Sequence, residues 1–186
     1  MSNKNLLIIM GYVTLIVFPL IGILLLYWIH GEWIFIFKNG LPLYWQIPIG
    51  CVLGLLLAIG LRFVLQRSFI HDTSTRYIKL INEFGLTREE TIFLSVCAGI
   101  GEEVLFRGAI QTFVGIPLTA IAFVALHGYL NPKDWRISIY GIILCLIFIG
   151  IGYIMQFWGI YVCIAIHIII DVVLFEYMRS TAFDEN

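Results

Sequence analysis

Residues 6–29 read LLIIMGYVTLIVFPLIGILLLYWI, an apolar run without a charged side chain. A helix that crosses a bilayer needs about 20 such residues, so this stretch predicts a transmembrane helix and decides the fold class. The run is too long for the core of a signal peptide, and no small-residue cleavage site follows it. We therefore expect residues 6–29 to be retained as a first span.

The composition of the whole chain also indicates a membrane protein. Of its 186 residues, 61% are hydrophobic and 12% are charged, and the mean hydropathy is +0.98. A soluble domain carries about twice that share of charged residues, so an ordinary soluble domain and a disordered chain are both excluded. The net charge of -1 leaves no basic surplus for nucleic acid phosphates. We therefore expect a lipid bilayer as the first partner and no nucleic acid partner.

Five more apolar stretches follow the first span and predict about six transmembrane helices in total. A polar connector at 67–90 is the only segment long enough for a cytosolic or interfacial helix. The predicted fold class is all-α: a polytopic membrane helical bundle that forms a single integral membrane domain over 1–186. It consists of two N-terminal spans within 5–66, the connector, and a C-terminal core at 91–178. The five further spans are 47–65, 91–112, 116–130, 137–155 and 158–178.

Charged and aromatic residues predict the orientation and the boundaries of these spans. All Lys and Arg residues except Lys38 and Arg107 fall on one side of the six-span arrangement. Positive charge concentrates on the cytosolic side, so both termini are expected in the cytosol. Short loops and the absence of an organellar targeting sequence suggest a multi-pass protein of a bacterial plasma membrane. The tryptophans fall at predicted span ends, as rings at headgroup level do; they are Trp28, Trp33, Trp45, Trp135 and Trp158.

Small residues within the spans are interpreted as packing features. Gly50 and Gly54 form a small-xxx-small face on the second span, which predicts the close approach of another helix. The cysteines lie singly in apolar runs without CxxC spacing, so they are expected to be core residues and not a disulfide frame or a zinc site. They are Cys51, Cys97, Cys145 and Cys163.

Three charged residues, Glu102, Glu103 and Arg107, lie within one predicted span. Each would cost on the order of 2.5–3.5 kcal/mol at the bilayer centre if it faced lipid, so we expect them to face protein or water. Glu103 and Arg107 are four residues apart and share a helix face, which predicts an ion pair. Glu102 lies about 100° further round the helix and is left as an unpaired carboxylate.

Two other spans contribute His127, His167 and Asp171. His127 shares a helix face with Phe123, which precedes it by four residues. The same spacing separates His167 from Asp171, so the Asp171 carboxylate is expected to accept the His167 N–H and fix its tautomer. Together with Glu102, these groups are expected to converge on one polar pocket inside an apolar bundle.

Such a pocket is suited to hydrolysis, with an amide as one suitable substrate. A carboxylate in apolar surroundings can take a proton from water, and imidazoles can share that proton or donate to an oxyanion. Neither Ser95 nor Cys97 lies in a nucleophile elbow, and no glycine-rich loop indicates phosphoryl transfer. Two histidines and a glutamate could bind zinc, but no His-Glu-x-x-His occurs, so no cofactor is expected and a zinc site is not favoured.

The polar residues form three ordered motifs that resemble those of the CPBP family, which comprises CAAX proteases and bacteriocin-processing enzymes, also called Abi. The family motifs EExxxR, FxxxH and HxxxN/D occur here in order, each inside a hydrophobic span, and cover roughly residues 86–178. The resemblance implies a glutamic intramembrane endopeptidase with its catalytic core at 91–178. The matching residues are Glu102, Glu103 and Arg107 in the first motif, Phe123 and His127 in the second, and His167 and Asp171 in the third.

The resemblance also implies a role for each motif residue. The position of Glu102 activates water together with that of His127. The positions of His167 and Asp171 form the oxyanion site. The supporting positions of the first motif are Glu103 and Arg107.

Asp171 departs from the asparagine that is usual in the prenyl-protein branch of that family. Asparagine can donate a hydrogen bond to an oxyanion, whereas an ionised aspartate cannot. Asp171 would therefore have to be protonated or to act through His167. The departure favours the bacterial branch, whose substrates are diverse peptides.

Two functions of different classes follow. The first is an intramembrane endopeptidase that hydrolyses a peptide bond of a membrane-associated peptide or lipidated protein with water activated by Glu and His. The second is a non-catalytic membrane scaffold or regulator, with a partner such as a sensor kinase or a bacteriocin receptor. Uncompensated Glu and His within the membrane favour the enzyme, because a scaffold has no need of them.

Overall fold

Helices joined by short turns make up the described part of the chain, with no strand among these residues. A computed structural model describes residues 3–67, 70, 75, 78, 79 and 81–181. The predicted all-α class is confirmed. The elements are α1 (Asn3–His30), α2 (Phe35–Lys38), α3 (Leu43–Leu65), α4 (Arg88–Glu102), a π-helical segment (Glu103–Ile110), α5 (Gln111–Val114), α6 (Ile116–Leu126), α7 (Trp135–Trp158) and α8 (Ile160–Thr181).

Four helices in the described ranges, α1, α3, α7 and α8, are long and apolar enough to cross a membrane by length and composition. Each coincides with a predicted span. The predicted span 91–112 lies in the stretch where the π-helical segment separates α4 from α5, and the span 116–130 contains only α6. The 11 residues of α6 rise about 16 Å, roughly half the thickness of the hydrocarbon core. The chain is therefore a multi-pass helical bundle, while the six-span count and the cytosolic termini stay predictions.

The predicted connector at 67–90 lies only partly within the described residues. Residues 68–80 lie mostly outside the described residues, and the expected cytosolic or interfacial helix falls there. Beyond it, α4 begins with a capping box, in which the Thr87 hydroxyl accepts the Glu90 N–H and the Glu90 carboxylate accepts the Thr87 N–H. Lys4 Nζ lies 2.8 Å from the same carboxylate and holds the pKa of Glu90 below its usual range. The first residues of α1 and α4 are thereby held side by side.

The tryptophans lie at helix ends as expected, and the expectation of core positions is confirmed for three of the four cysteines. Every tryptophan lies within two residues of a helix terminus. All the cysteines are free thiols, and three of them are buried. The buried ones are Cys97, Cys145 and Cys163.

Glycines allow the closest contacts between helices. Gly50 and Gly54 of α3 pack against α8, and a Cβ atom built on Gly54 would lie 2.8 Å from the Ile166 carbonyl oxygen. The close approach predicted for this small-xxx-small face is therefore confirmed. Gly101 of α4 lies directly against the Thr14 carbonyl group of α1. Because the obstacle is backbone in each case, these helices could not pack as closely with larger residues.

Replacing Gly101 by alanine is expected to destabilise the protein by about 1–3 kcal/mol, because the new Cβ would overlap the Thr14 carbonyl and push α1 away from α4. Gly60→Ala is the matched control, since nothing lies within 4 Å of a Cβ atom there. Thermal unfolding in detergent should separate the two variants. Equal melting temperatures would show that the α1–α4 contact is not tight.

Candidate active site

The first motif lies where the chain changes from α-helical to π-helical geometry. α4 ends at Glu102, and the next eight residues, Glu103–Ile110, form the π-helical segment. Such insertions are rare in helices and are frequent at functional sites. Neither hydropathy nor motif spacing signals this change, and the 100° separation of Glu102 from Glu103 expected from the sequence holds only for a regular α-helix.

Glu103 and Arg107 form the predicted ion pair in the interior of the protein. Arg107 Nε lies 3.3 Å from Glu103 Oε2, and the two side chains are 1% and 0% exposed. The guanidinium carbon of Arg107 also lies 4.5 Å from the ring centre of Phe123 and 4.7 Å from that of Phe148. A desolvated cation–π contact contributes about 2 kcal/mol. Arg107 thus connects the π-helical segment with α6 and α7.

His167 makes its hydrogen bond to Glu103 and not to Asp171. Its Nδ1 lies 2.8 Å from Glu103 Oε1, whereas its Nε2 lies 3.6 Å from Asp171 Oδ2, too far for a hydrogen bond. The prediction that Asp171 fixes the tautomer of His167 is therefore wrong: His167 donates Nδ1–H to the Glu103 carboxylate. The physical reason is that α8 packs against the π-helical segment, which spacing along α8 alone does not reveal.

Glu102 lies between the two histidines, with no direct hydrogen bond to either. Its Oε2 atom is 3.6 Å from His127 Nε2 and 3.8 Å from His167 Nε2. This oxygen is buried and has no hydrogen-bond partner in the described part of the chain. A water molecule beside these atoms could accept or donate hydrogen bonds to the carboxylate and an imidazole at once. As predicted, Glu102 is the carboxylate that the Arg107 ion pair leaves unpaired.

The end of α6 holds His127 in place. Gly128 follows it with a φ of +77°. The N–H groups of Gly128 and Tyr129 donate to carbonyl oxygens in the last turn of α6, as in a Schellman motif. The His127 ring donates Nδ1–H to the Phe123 carbonyl oxygen over 2.7 Å. That bond leaves Nε2 directed toward Glu102.

Replacing Gly128 by alanine is expected to cost about 1–2 kcal/mol, because φ is positive there and an L-residue is strained in that region. The variant should also lower the activity proposed below by displacing His127. Gly150→Ala is the control, since Gly150 is helical and open around its Cα. Melting temperature and activity are the measurements, and an unchanged melting temperature would contradict the expectation.

A cavity of about 390 Å³ joins the polar residues to the end of the bundle where α1 begins and α8 ends. Glu102, His127, His167 and Asp171 line its inner part, so the structure brings together all the residues predicted to be catalytic. Apolar side chains line the outer part. They include Leu7 and Met10 of α1, Ile78 and Ile81 before α4, and Leu174 and Met178 of α8.

Three lining features have no counterpart in the motif analysis. α1 forms one wall of the cavity, although hydropathy does not distinguish a lipid-facing from a cavity-facing residue. Tyr129 stacks on the His127 ring with an interplanar angle of 3°, and Tyr140 meets Tyr129 edge-on at 5.6 Å. The four-residue spacing of Tyr140, Leu144 and Phe148, which places them on one face of α7, is the sequence signal that could have indicated Tyr140.

Within the described ranges, no group of three or more His, Cys, Asp or Glu side chains is arranged to hold a metal ion. Independence from metal stays a prediction.

Comparisons with known proteins relate part of the chain to a protein family and to a bacterial relative. Residues 89–173 match the family described as type II CAAX prenyl endopeptidase Rce1-like, and this range contains all three motifs. The uncharacterised protein YpbD of Bacillus subtilis (strain 168) is 33% identical over 101 residues, which is 51% of this chain and 51% of that protein. The chain thus matches about half the length of this curated relative. No solved structure matches the chain.

Proposed function

We propose that this protein, whose residues 89–173 match the Rce1-like CAAX prenyl endopeptidase family, is a glutamic intramembrane endopeptidase. It hydrolyses a peptide bond of a membrane-associated peptide or a lipidated protein. The observation that carries the proposal is the position of Glu102. Its unpaired carboxylate faces two imidazole nitrogens, at 3.6 and 3.8 Å, inside a cavity.

In the proposed reaction Glu102 acts as the general base. A water molecule held between Glu102 and His127 Nε2 loses a proton to the carboxylate while its oxygen attacks the carbonyl carbon of the substrate. Collapse of the tetrahedral intermediate breaks the C–N bond, and the proton passes from Glu102 to the leaving amine. His127 can share this proton, because its Nδ1–H is already donated to Phe123 and only Nε2 faces the water.

The oxyanion forms on the other side of the water, next to His167. The Glu103 carboxylate accepts a hydrogen bond from the Nδ1–H of His167, and this bond directs Nε2 of His167 into the cavity. In its protonated form this nitrogen donates to the oxyanion. Asp171 acts through His167, whose Nε2 it faces at 3.6 Å. Arg107 is a positioning residue that balances the charge of Glu103 and does not contact substrate.

The shape of the cavity supports an amphipathic substrate. Its polar groups lie in the inner part. Apolar side chains line the outer part, which leads to the end of the bundle where α1 begins and α8 ends. By the positive-inside prediction this is the cytosolic end of a bacterial plasma membrane protein. An apolar peptide segment, a bacteriocin-type peptide or a lipidated protein terminus would match this division.

The experiment compares intact protein with Glu102→Ala at matched membrane expression in a deletion strain. Peptides and protein termini of the cells are profiled, with Glu89→Gln as a control at an exposed carboxylate. Termini that are present with the intact protein should disappear with Glu102→Ala and persist with the control. If Glu102→Ala restores the deletion phenotype and leaves the termini unchanged, the peptidase proposal fails and the scaffold function replaces it.

A further inference from the structure

Tyr140 is a buried polar residue of the cavity that the proposed mechanism does not use. The residue is 4% exposed and lines the cavity together with the four proposed catalytic residues. No described residue makes a hydrogen bond to its hydroxyl group. The hydroxyl oxygen is also not one of the fully buried side-chain atoms that lack a hydrogen-bond partner, so it is accessible from the cavity. A buried tyrosine hydroxyl usually has a hydrogen-bond partner. A partner for Tyr140 is therefore expected to come from the contents of the cavity.

The position of Tyr140 is at the boundary between the polar and apolar parts of the cavity. It shares one face of α7 with Leu144 and Phe148, and the Phe148 ring lies 6.1 Å from that of His167. Two helical turns separate Tyr140 from Phe148, toward the beginning of α7 and the outer part of the cavity. Its hydroxyl is within electrostatic range of Asp171.

A peptide bound in this cavity would need hydrogen-bond donors for its carbonyl groups. A buried carbonyl without a partner is costly. Among the described lining residues, the side chains that can donate are the hydroxyl groups of Thr14, Tyr129 and Tyr140 and the two imidazoles. Ionised Glu102 and Asp171 can only accept hydrogen bonds, whereas a tyrosine hydroxyl can donate. Tyr140 supplies such a donor in the same cavity, on the outer side of the reacting groups.

We propose that the Tyr140 hydroxyl donates a hydrogen bond to a main-chain carbonyl oxygen of the substrate, next to the scissile bond and on the outer side of it. The inference rests on the proposed peptidase function. It makes Tyr140 a substrate-binding residue, supplied by α7 and lying between the second and third motifs.

The test is the removal of a single oxygen atom by Tyr140→Phe, which retains the ring contact with Tyr129. The matched control is Tyr153→Phe, on the same helix but 50% exposed on its outer surface. The probe is a quenched fluorescent peptide that ends in a farnesylated CAAX sequence, assayed with purified full-length protein in lipid nanodiscs. If cells show Glu102-dependent termini but this peptide is not cleaved, a fluorescent peptide spanning the cleaved terminus is used instead.

Tyr140→Phe is expected to raise KM about five- to tenfold, the effect of one hydrogen bond, and to leave kcat within about twofold. Its melting temperature should not fall, because the hydroxyl has no hydrogen bond to lose in the described protein. A hydroxyl with a structural role would lower the melting temperature instead. Tyr153→Phe should change none of these values.

Two results would overturn the inference and are distinguishable from a failure of the proposed function. If cleavage depends on Glu102 but Tyr140→Phe has the KM of the intact protein, the binding role is wrong and the peptidase remains. A lowered melting temperature with unchanged KM would assign the hydroxyl to packing. If Glu102→Ala cleaves as well as the intact protein, the peptidase proposal fails and the Tyr140 inference fails with it.

Discussion

Glu102→Gln is expected to slow peptide cleavage by about a thousandfold while the helical bundle stays folded. Glutamine has nearly the same shape as glutamate but cannot take a proton from water. The Oε2 atom of Glu102 has no hydrogen bond within the described residues, so the substitution breaks no such bond. The measurement is the initial rate of formation of the Glu102-dependent termini, with helical content and melting temperature recorded on the same preparation.

The control for this prediction is Glu89→Gln, an exposed carboxylate in the first turn of α4. It should cleave at the rate of the intact protein. A Glu102→Gln variant that keeps more than about a tenth of the activity would exclude Glu102 as general base, because removing a positioned acid or base costs at least about a hundredfold. The base would then have to be found among the two histidines and Asp171.

Arg107→Met is expected to lower the free energy of unfolding by about 3–5 kcal/mol, because it leaves the Glu103 carboxylate buried without its cation. Glu103 is fully buried and Arg107 is 1% exposed, so water cannot replace the lost partner. Methionine retains much of the apolar contact with Phe123 and Phe148, which isolates the effect of charge. Thermal or denaturant unfolding in detergent is the measurement.

The matched control is Arg88→Met, since the Arg88 side chain is 68% exposed and makes only a 3.9 Å ion pair. Its effect should stay below about 1 kcal/mol. Adding Glu103→Gln to Arg107→Met removes the unpaired charge, so the double variant should lose less stability than the sum of the two single variants. Strict additivity would show that the two side chains do not stabilise each other.

The sequence was sufficient for features that depend on local pattern. Apolar runs such as 6–29 were enough to identify α1, α3, α7 and α8, since a helix must be long and apolar to cross a bilayer. The four-residue spacing was enough to predict the ion pair between Glu103 and Arg107. Burial of charge in a membrane was enough to place Glu102, His127 and His167 in one interior pocket.

Other features were decided only when helices packed against one another. Which carboxylate holds His167 depends on how α8 meets the π-helical segment, and the contact selects Glu103 over Asp171. The wall formed by α1 and the place of Tyr140 in the cavity also arise from contacts between distant parts of the chain. A periodic pattern specifies the faces of one helix, whereas partners across helices depend on crossing positions and on local helix geometry. Those are set by backbone contacts such as that of Gly101 with Thr14, whose effect appears only in the folded bundle.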